Sequence, residues 1–227
     1  MTTLKLAVFD VDGTLIDSQD FIVEAMNRAF GEMGVALPTR AEVLSIVGLS
    51  LHDAIARLVP SMSEPDVAHA AQQYKNMFIQ LRAEKGGEAA APMYPGARAA
   101  LEALHPRDEV LLGVATGKAR RGLDHAYDAH DLRKFFVTHQ TADDHPSKPH
   151  PSMLKRALAE TGADAGNAVM IGDTSFDMEM GKAAGFRTIG VTWGYHPRAE
   201  LVSAGADILI DAFAQLPSAL DELWGKA

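Results

Sequence analysis

Four short stretches carry the residues able to do chemistry. Asp10-Val11-Asp12-Gly13-Thr14 sets two carboxylates one residue apart at the end of an apolar run. Paired into a strand they would share one face and repel each other. Released at the strand's end, with Gly13 free to turn, they suit a divalent cation; read alone, Asp12-Gly13 is also an ordinary turn pair. Thr116-Gly117-Lys118 places a hydroxyl and a glycine ahead of a helix. That arrangement either caps the helix or holds a phosphate oxygen with the side chain and backbone N–H groups. Lys148 stands in Ser147-Lys148-Pro149-His150-Pro151, where flanking prolines stiffen its backbone and its ammonium would face a phosphate. Gly172-Asp173-Thr174-Ser175-Phe176-Asp177 adds one acid at a strand-to-helix turn and a second one turn later. An Asp cap and a solvated Asp would read the same way, but together with Asp10 and Asp12 they could complete a metal's oxygen shell. Magnesium takes few carboxylates and keeps water and substrate phosphate, which fits this acid count.

These residues need a scaffold, and the pattern around them supplies one. Residues 4–9 form a nearly continuous apolar run of strand length, the signature of a central strand covered on both faces. From 17 to about 90 the pattern is helical throughout. Asp17-Ser18 suits a helix cap. Rows Phe21/Ala25/Ala29/Met33 and Ile22/Met26/Phe30 then make an amphipathic helix ending near Gly34. Helices follow around 41–47, 51–59 and 65–81, the last with Tyr74, Met77, Phe78 and Leu81 as a buried stripe. Lys85-Gly86-Gly87-Glu88 reads as the second hinge of an inserted helical unit. Beyond Pro95-Gly96, strands and helices alternate. Strands are expected at 109–115, 135–138, 168–171, 188–192 and 207–210. Helices are expected at 97–104, 119–129, 152–160, 175–184 and 213–224. Such alternation predicts an α/β fold, a parallel sheet in three layers with a Rossmann-like core. The core would comprise 1–16 and 91–227, and a helical cap 17–90. All four chemical stretches fall at strand ends or in a loop, where parallel sheets build their sites.

The composition narrows the partners. Among 227 residues, 21 Lys and Arg face 30 Asp and Glu, a formal charge of −9. This disfavours nucleic acid or an anionic membrane as partner and means an anionic substrate needs a metal or local cations. With no cysteine, disulfides and thiolate metal sites are excluded. No apolar run approaches a membrane span and no leader pattern opens the chain, so a soluble cytoplasmic protein is expected. Oligomeric state is not legible.

The order Asp-Val-Asp-Gly-Thr, Thr-Gly, Lys-Pro, Gly-Asp-Thr-x-x-Asp resembles the haloacid dehalogenase (HAD) superfamily, and the helical insertion looks like its α-helical cap. Asp-Val-Asp-Gly-Thr-Leu-Ile-Asp-Ser, Val47-Gly48-Leu49-Ser50 and Tyr94-Pro95-Gly96 look most like the phosphoglycolate phosphatase branch. The resemblance implies a Mg²⁺-dependent phosphatase acting on a small organic phosphate monoester through an aspartyl-phosphate. By position, Asp10 would be the nucleophile and Asp12 the general acid and then base. Asp10, the Asp12 carbonyl and Asp173 would hold the metal, with Asp177 supporting Lys148 or a metal-bound water. Thr116, the Gly117 amide and Lys148 would bind the phosphoryl oxygens.

Asp12 and the pair Asp173/Asp177 argue against a dehalogenase, and an Asp at position 12 argues against a phosphonatase. A sugar phosphomutase, a pyrophosphatase and a non-catalytic interaction protein remain as alternatives. A need for a bisphosphorylated sugar would mark the mutase, and loss of either first-motif acid the non-catalytic protein. His52 reads as a surface residue beside the cap tip at 48–50, and Arg120 and Arg121 as a solvated pair, the alternative being a contact with a substrate carboxylate. His139, His145 and His150 read as loop residues without zinc-ligand spacing. Trp193 and Tyr195 would line the pocket or pack under the cap.

Overall fold

Leu6, Ala7, Val8 and Phe9 are all fully buried although they point alternately to opposite sides of the strand. Two-sided burial makes their strand the middle of the sheet. The computed structural model describes residues 3–86 and 91–225. Its elements begin with β1 (Lys5–Phe9), α1 (Gln19–Glu32), α2 (Arg40–Leu44), α3 (Leu51–Leu58), α4 (Glu64–Lys85), α5 (Ala97–Leu104), β2 (Val110–Thr116) and α6 (Arg120–His130). They continue with β3 (Thr138–Thr141), α7 (Ser152–Thr161), β4 (Ala168–Gly172), α8 (Ser175–Ala184), β5 (Arg187–Val191), α9 (Arg198–Ser203), β6 (Ile208–Ile210) and α10 (Leu216–Gly225).

The sheet order is β3-β2-β1-β4-β5-β6, and every neighbouring pair is parallel. Ala7 and Phe9 join one apolar cluster with Leu101 of α5, Leu123 of α6 and Leu220 of α10. Leu6 and Val8 join another with Leu154 of α7 and Met180 of α8. These are the expected three layers. Strand order reverses at β1, and the carboxyl ends of β1, β2 and β4 open side by side there.

Between β1 and α5 lie the four helices α1–α4, with a separate core that includes Met26, Phe30, Ile55, Val67 and Met77. Outgoing and returning chain run together at its base. Tyr94 N–H donates to Leu15 O at 2.9 Å and Asp17 N–H to Pro92 O at 2.9 Å. Helix α4 closes on Gly86 in the left-handed conformation. The remainder of the expected hinge, Gly87 and Glu88, lies outside the described residues.

Three local readings change. The third strand is 138–141, not 135–138. Arg133–Phe135 form a 3-10 turn, and Phe136 leaves the sheet edge to stack on Tyr127 at 5.8 Å and meet Phe9 edge-on at 6.3 Å. The true strand, Thr-His-Gln-Thr, is polar because Thr138 and Gln140 both donate to Glu160 of α7. Helix α9 has no counterpart among the expected elements. The last helix begins as a 3-10 turn at Phe213–Gln215 before α10. Ile171→Ala, in fully buried β4, should lower unfolding free energy by about 2–5 kcal/mol; urea unfolding with retained far-UV dichroism checks it.

Candidate active site

Parallel pairing sets the geometry. Asp10 follows β1, its N–H bonded to Ile171 O of β4 at 3.0 Å. Thr116 ends β2, and Asp173 follows β4. Gly13 turns the chain back with φ +83°, and any Cβ there would run into the Asp173 carboxylate. Asp173 is gripped on both oxygens: Thr14 Oγ1 donates to one at 2.8 Å and the Tyr195 N–H to the other at 2.9 Å.

Asp177 sits in the first turn of α8, where Thr174 N–H and Thr174 Oγ1 donate to one carboxylate oxygen at 3.1 and 2.7 Å. Its other oxygen accepts from Lys148 Nζ at 2.6 Å. The same ammonium lies 3.1 Å from Asp10 Oδ1, and its side chain is 0% exposed. That second contact is an ion pair of poorer hydrogen-bond direction than the one to Asp177. Carboxylate oxygens of Asp10, Asp173 and Asp177 come within 4.8 Å of one another.

Burial pushes the Asp10 carboxyl up to about 7; Lys148 opposes the rise, while Asp177 and Asp12 add to it. Asp173 is raised well above the usual carboxylate range by burial, then by Asp177 and Asp10. Burial would lower Lys148, but Asp10 and Asp177 more than reverse that and keep it protonated. One ammonium does not balance three acids in so dry a place. The deficit is positive charge, Asp10 is the least well hydrogen-bonded of the three acids, and the ligand atoms are all hard oxygens. A divalent cation of the magnesium, calcium or manganese kind fits that donor set.

Asp12 belongs to a different arrangement. Lys118 Nζ lies 2.9 Å from Asp12 Oδ1. The Ser18 hydroxyl donates to the same oxygen and lies 3.2 Å from the Tyr195 hydroxyl. Ser18 therefore corrects the sequence reading. It occupies the N-cap position of α1 with φ −100° and ψ 5°, makes no capping bond, and turns to the carboxylate instead. Thr116 is not a helix cap either; its Oγ1 accepts from Lys118 N–H at 3.2 Å, while Asp143 accepts from the first N–H of α6 at 2.7 Å.

The helical layer closes over this floor. Ser50 N–H donates to Ser147 Oγ at 2.8 Å, next to Lys148, and buried His196 places Nε2 3.2 Å from Ser45 O. Gly117 lies so close beneath that an added Cβ would come within 2.6 Å of Gly48 O and 2.5 Å of Leu49 O. The structure thus brings together Asp10, Asp12, Thr116, Gly117, Lys148, Asp173 and Asp177. Ser18, Lys118, Thr14 and His196 join them, although residue type and spacing alone do not mark them as site residues; Lys118 stands out only as the neighbour of Thr116-Gly117.

Other candidates go elsewhere. Arg120 is tied to His139 O at 2.6 Å. His139 lies in β3, not in a loop, and meets Tyr127 Oη at 2.8 Å. His145 bridges Ser152 and Gln140, and exposed His150 accepts from Ser152 N–H. His52 pairs with Glu64 at 2.8 Å. Trp193 packs on Phe213 at 4.6 Å and donates to Thr14 O. Among the described residues the one group with metal-ligand spacing is Asp10, Asp173 and Asp177.

The chain belongs to the haloacid dehalogenase-like hydrolases, whose family model matches residues 7–191. It is 34% identical over 221 residues to a protein of Dickeya dadantii named "Probable phosphatase IndB", covering 96% of this chain and 94% of that one. It is 27% identical over 216 residues to a phosphoglycolate phosphatase of Photobacterium profundum, covering 94% of each. A haloacid dehalogenase-like hydrolase from Streptococcus pneumoniae shares the fold with a TM-score of 0.82 at 24% identity, over 96% of this chain and 99% of that one. No described helix is long and apolar enough to cross a membrane.

A pH signature follows. In the metal-free fold Asp10 holds its proton up to about 7, whereas the unfolded chain releases it near 3.8. Stability from this group is therefore present at low pH and lost as pH rises through that window. A cation binding the carboxylate must displace the proton, so the rise in melting temperature caused by Mg²⁺ should grow from pH 5 to pH 7 and then level off. An equal increment at both pH values contradicts this placement.

Proposed function

We propose that the chain is a Mg²⁺-dependent phosphatase that hydrolyses a small organic phosphate monoester through an aspartyl-phosphate on Asp10. Residues 17–90 serve as a cap over the site. The observation that carries this reading is the Asp10 carboxylate, buried at the strand end with the Lys148 ammonium 3.1 Å from one oxygen and the Asp173 and Asp177 carboxylates beside it. Three buried acids around one ammonium are costly in a purely structural role; a metal and a phosphate bound there would offset that cost.

Asp10, the Asp12 carbonyl and Asp173 would hold the metal, with Asp177 fixing Lys148. Bound Mg²⁺ reduces the repulsion between a carboxylate and a phosphate dianion. Lys148, Thr116 and the Gly117 amide bind the phosphoryl oxygens as charge redistributes. Asp10 Oδ attacks phosphorus, forming the P–O bond of the intermediate while the ester P–O bond breaks. Asp12, which must first take up a proton and give up its ion pair with Lys118, passes that proton to the departing alkoxide. It then takes a proton from the water that attacks phosphorus and releases phosphate from Asp10. Contacts at Ser50 and Ser45 keep bulk water from the acyl phosphate while the cap is down.

Phosphate release from p-nitrophenyl phosphate with Mg²⁺, and its loss in EDTA, tests the class. Asp10→Asn should reduce kcat by at least ~10³-fold with the fold retained; steady-state turnover near the original rate would refute the nucleophile. Lys148→Ala should raise KM and lower kcat together. Unchanged constants would remove Lys148 from phosphate binding.

A further inference from the structure

With residues 45–50 seated on the core through Ser50–Ser147 and Ser45–His196, the space between cap and floor does not vanish. A chamber of about 540 Å³ remains above Asp10, Asp12 and Thr116. Clefts of roughly 300–1,000 Å³ hold drug-sized molecules. The phosphate with a two-carbon acid that the sequence motifs suggest is far smaller than that.

The chamber's upper wall is apolar and partly aromatic. Ile22 and Met26 stand one turn apart on α1, and Tyr74 and Phe78 one turn apart on α4; all four line it. The Tyr74 and Phe78 rings lie 5.8 Å apart, and Phe21 backs Phe78 at 5.5 Å. Lys118 bridges wall and floor, its ammonium 5.7 Å from the Phe78 ring and 2.9 Å from Asp12.

The cations near the floor are committed. Lys148 is held by Asp10 and Asp177 and Lys118 by Asp12, and Arg82 lies over the Phe78 ring at 5.8 Å. Lys75 and Arg121 also line the chamber but are exposed, and His52, which lines it too, is paired with Glu64. A carboxylate turned toward the apolar wall would lose water without gaining an ammonium there, at a desolvation cost. A ring there would bury its own apolar surface and that of half-buried Tyr74 and Phe78, over the buried Ile22 and Met26.

We infer that the preferred substrate is a phosphate monoester whose alcohol carries an apolar ring, the phosphate on the Asp10–Lys148 floor and the ring against Ile22, Met26, Tyr74 and Phe78. The inference rests on the phosphatase reading and specifies its substrate class. The reaction stays balanced as described: water enters, and the ring-bearing alcohol and inorganic phosphate leave.

The test compares kcat/KM for benzyl phosphate, ethyl phosphate and 2-phosphoglycolate with Mg²⁺, with p-nitrophenyl phosphate as the control for basal chemistry. Benzyl and ethyl esters both release alkoxides that need protonation, so a difference between them reports chiefly the ring. Benzyl phosphate should exceed both small esters by at least about tenfold, mainly through KM. Phe78→Ala should shrink the benzyl-to-ethyl ratio toward one, and Phe78→Leu, which keeps apolar bulk, should retain more of it. If 2-phosphoglycolate or ethyl phosphate matches benzyl phosphate while Mg²⁺-dependent release persists, the ring inference falls and the phosphatase reading stands. If folded protein releases phosphate from none of the four, the phosphatase reading falls and the inference falls with it. A benzyl-to-ethyl ratio that Phe78→Ala leaves unchanged removes the aromatic wall from substrate selection.

Discussion

The structure depends on a charge problem at the carboxyl end of the sheet. Asp10, Asp173 and Asp177 are buried to within 1% exposure, and one ammonium, Lys148, is buried among them. Three carboxylates around one cation in a low-dielectric site cannot all ionise unaided. The surroundings meet part of the cost. Asp173 receives two hydrogen bonds and Asp177 three, counting Lys148, while Asp10 has the Lys148 ammonium 3.1 Å from one oxygen. The unsatisfied demand is thus concentrated on one carboxylate, the one that faces the chamber. A stable fold tolerates such a group where ligand and metal complete it.

The fold delivers this arrangement through strand pairing rather than through local structure. β1, β2 and β4 run parallel and adjacent, so residues far apart in the chain emerge on one rim. The helical layer that follows β1 lies directly above the same rim. Its return segment pairs beside its exit at Leu15–Asp17 and Pro92–Tyr94, a two-stranded neck. Closure is read at Gly117, where only a glycine leaves room for the Gly48 and Leu49 carbonyls.

Much of this was legible in the sequence, for identifiable reasons. β1 announces itself because both its faces are apolar, and the acids stand out because they interrupt such runs at their ends. Other parts were hidden. β3 is a polar edge strand whose Thr138 and Gln140 serve Glu160, and the apolar pair beside it packs from a turn. α9 is six residues long and has too few turns to show a period. Ser18 carries the residue type and position of a helix cap, and only its backbone angles and the nearness of Asp12 redirect it. Lys118 finds Asp12, and His196 finds Ser45, across long stretches of chain. Tyr195 serves Asp173 through its backbone N–H, which side-chain identity does not encode.

On this reading the phosphoryl group goes to the buried carboxylate of Asp10. The direct measurement is acid quench of the Asp12→Ala protein, in which hydrolysis of the intermediate is slowed, after brief exposure to p-nitrophenyl phosphate and Mg²⁺, followed by peptide mass spectrometry. The account predicts a single phosphoryl group on the peptide carrying Asp10, absent in EDTA and absent when Asp10 is also changed to Asn. A phosphoryl group on another residue, or p-nitrophenol release with no burst and no protein-bound phosphate, would contradict it.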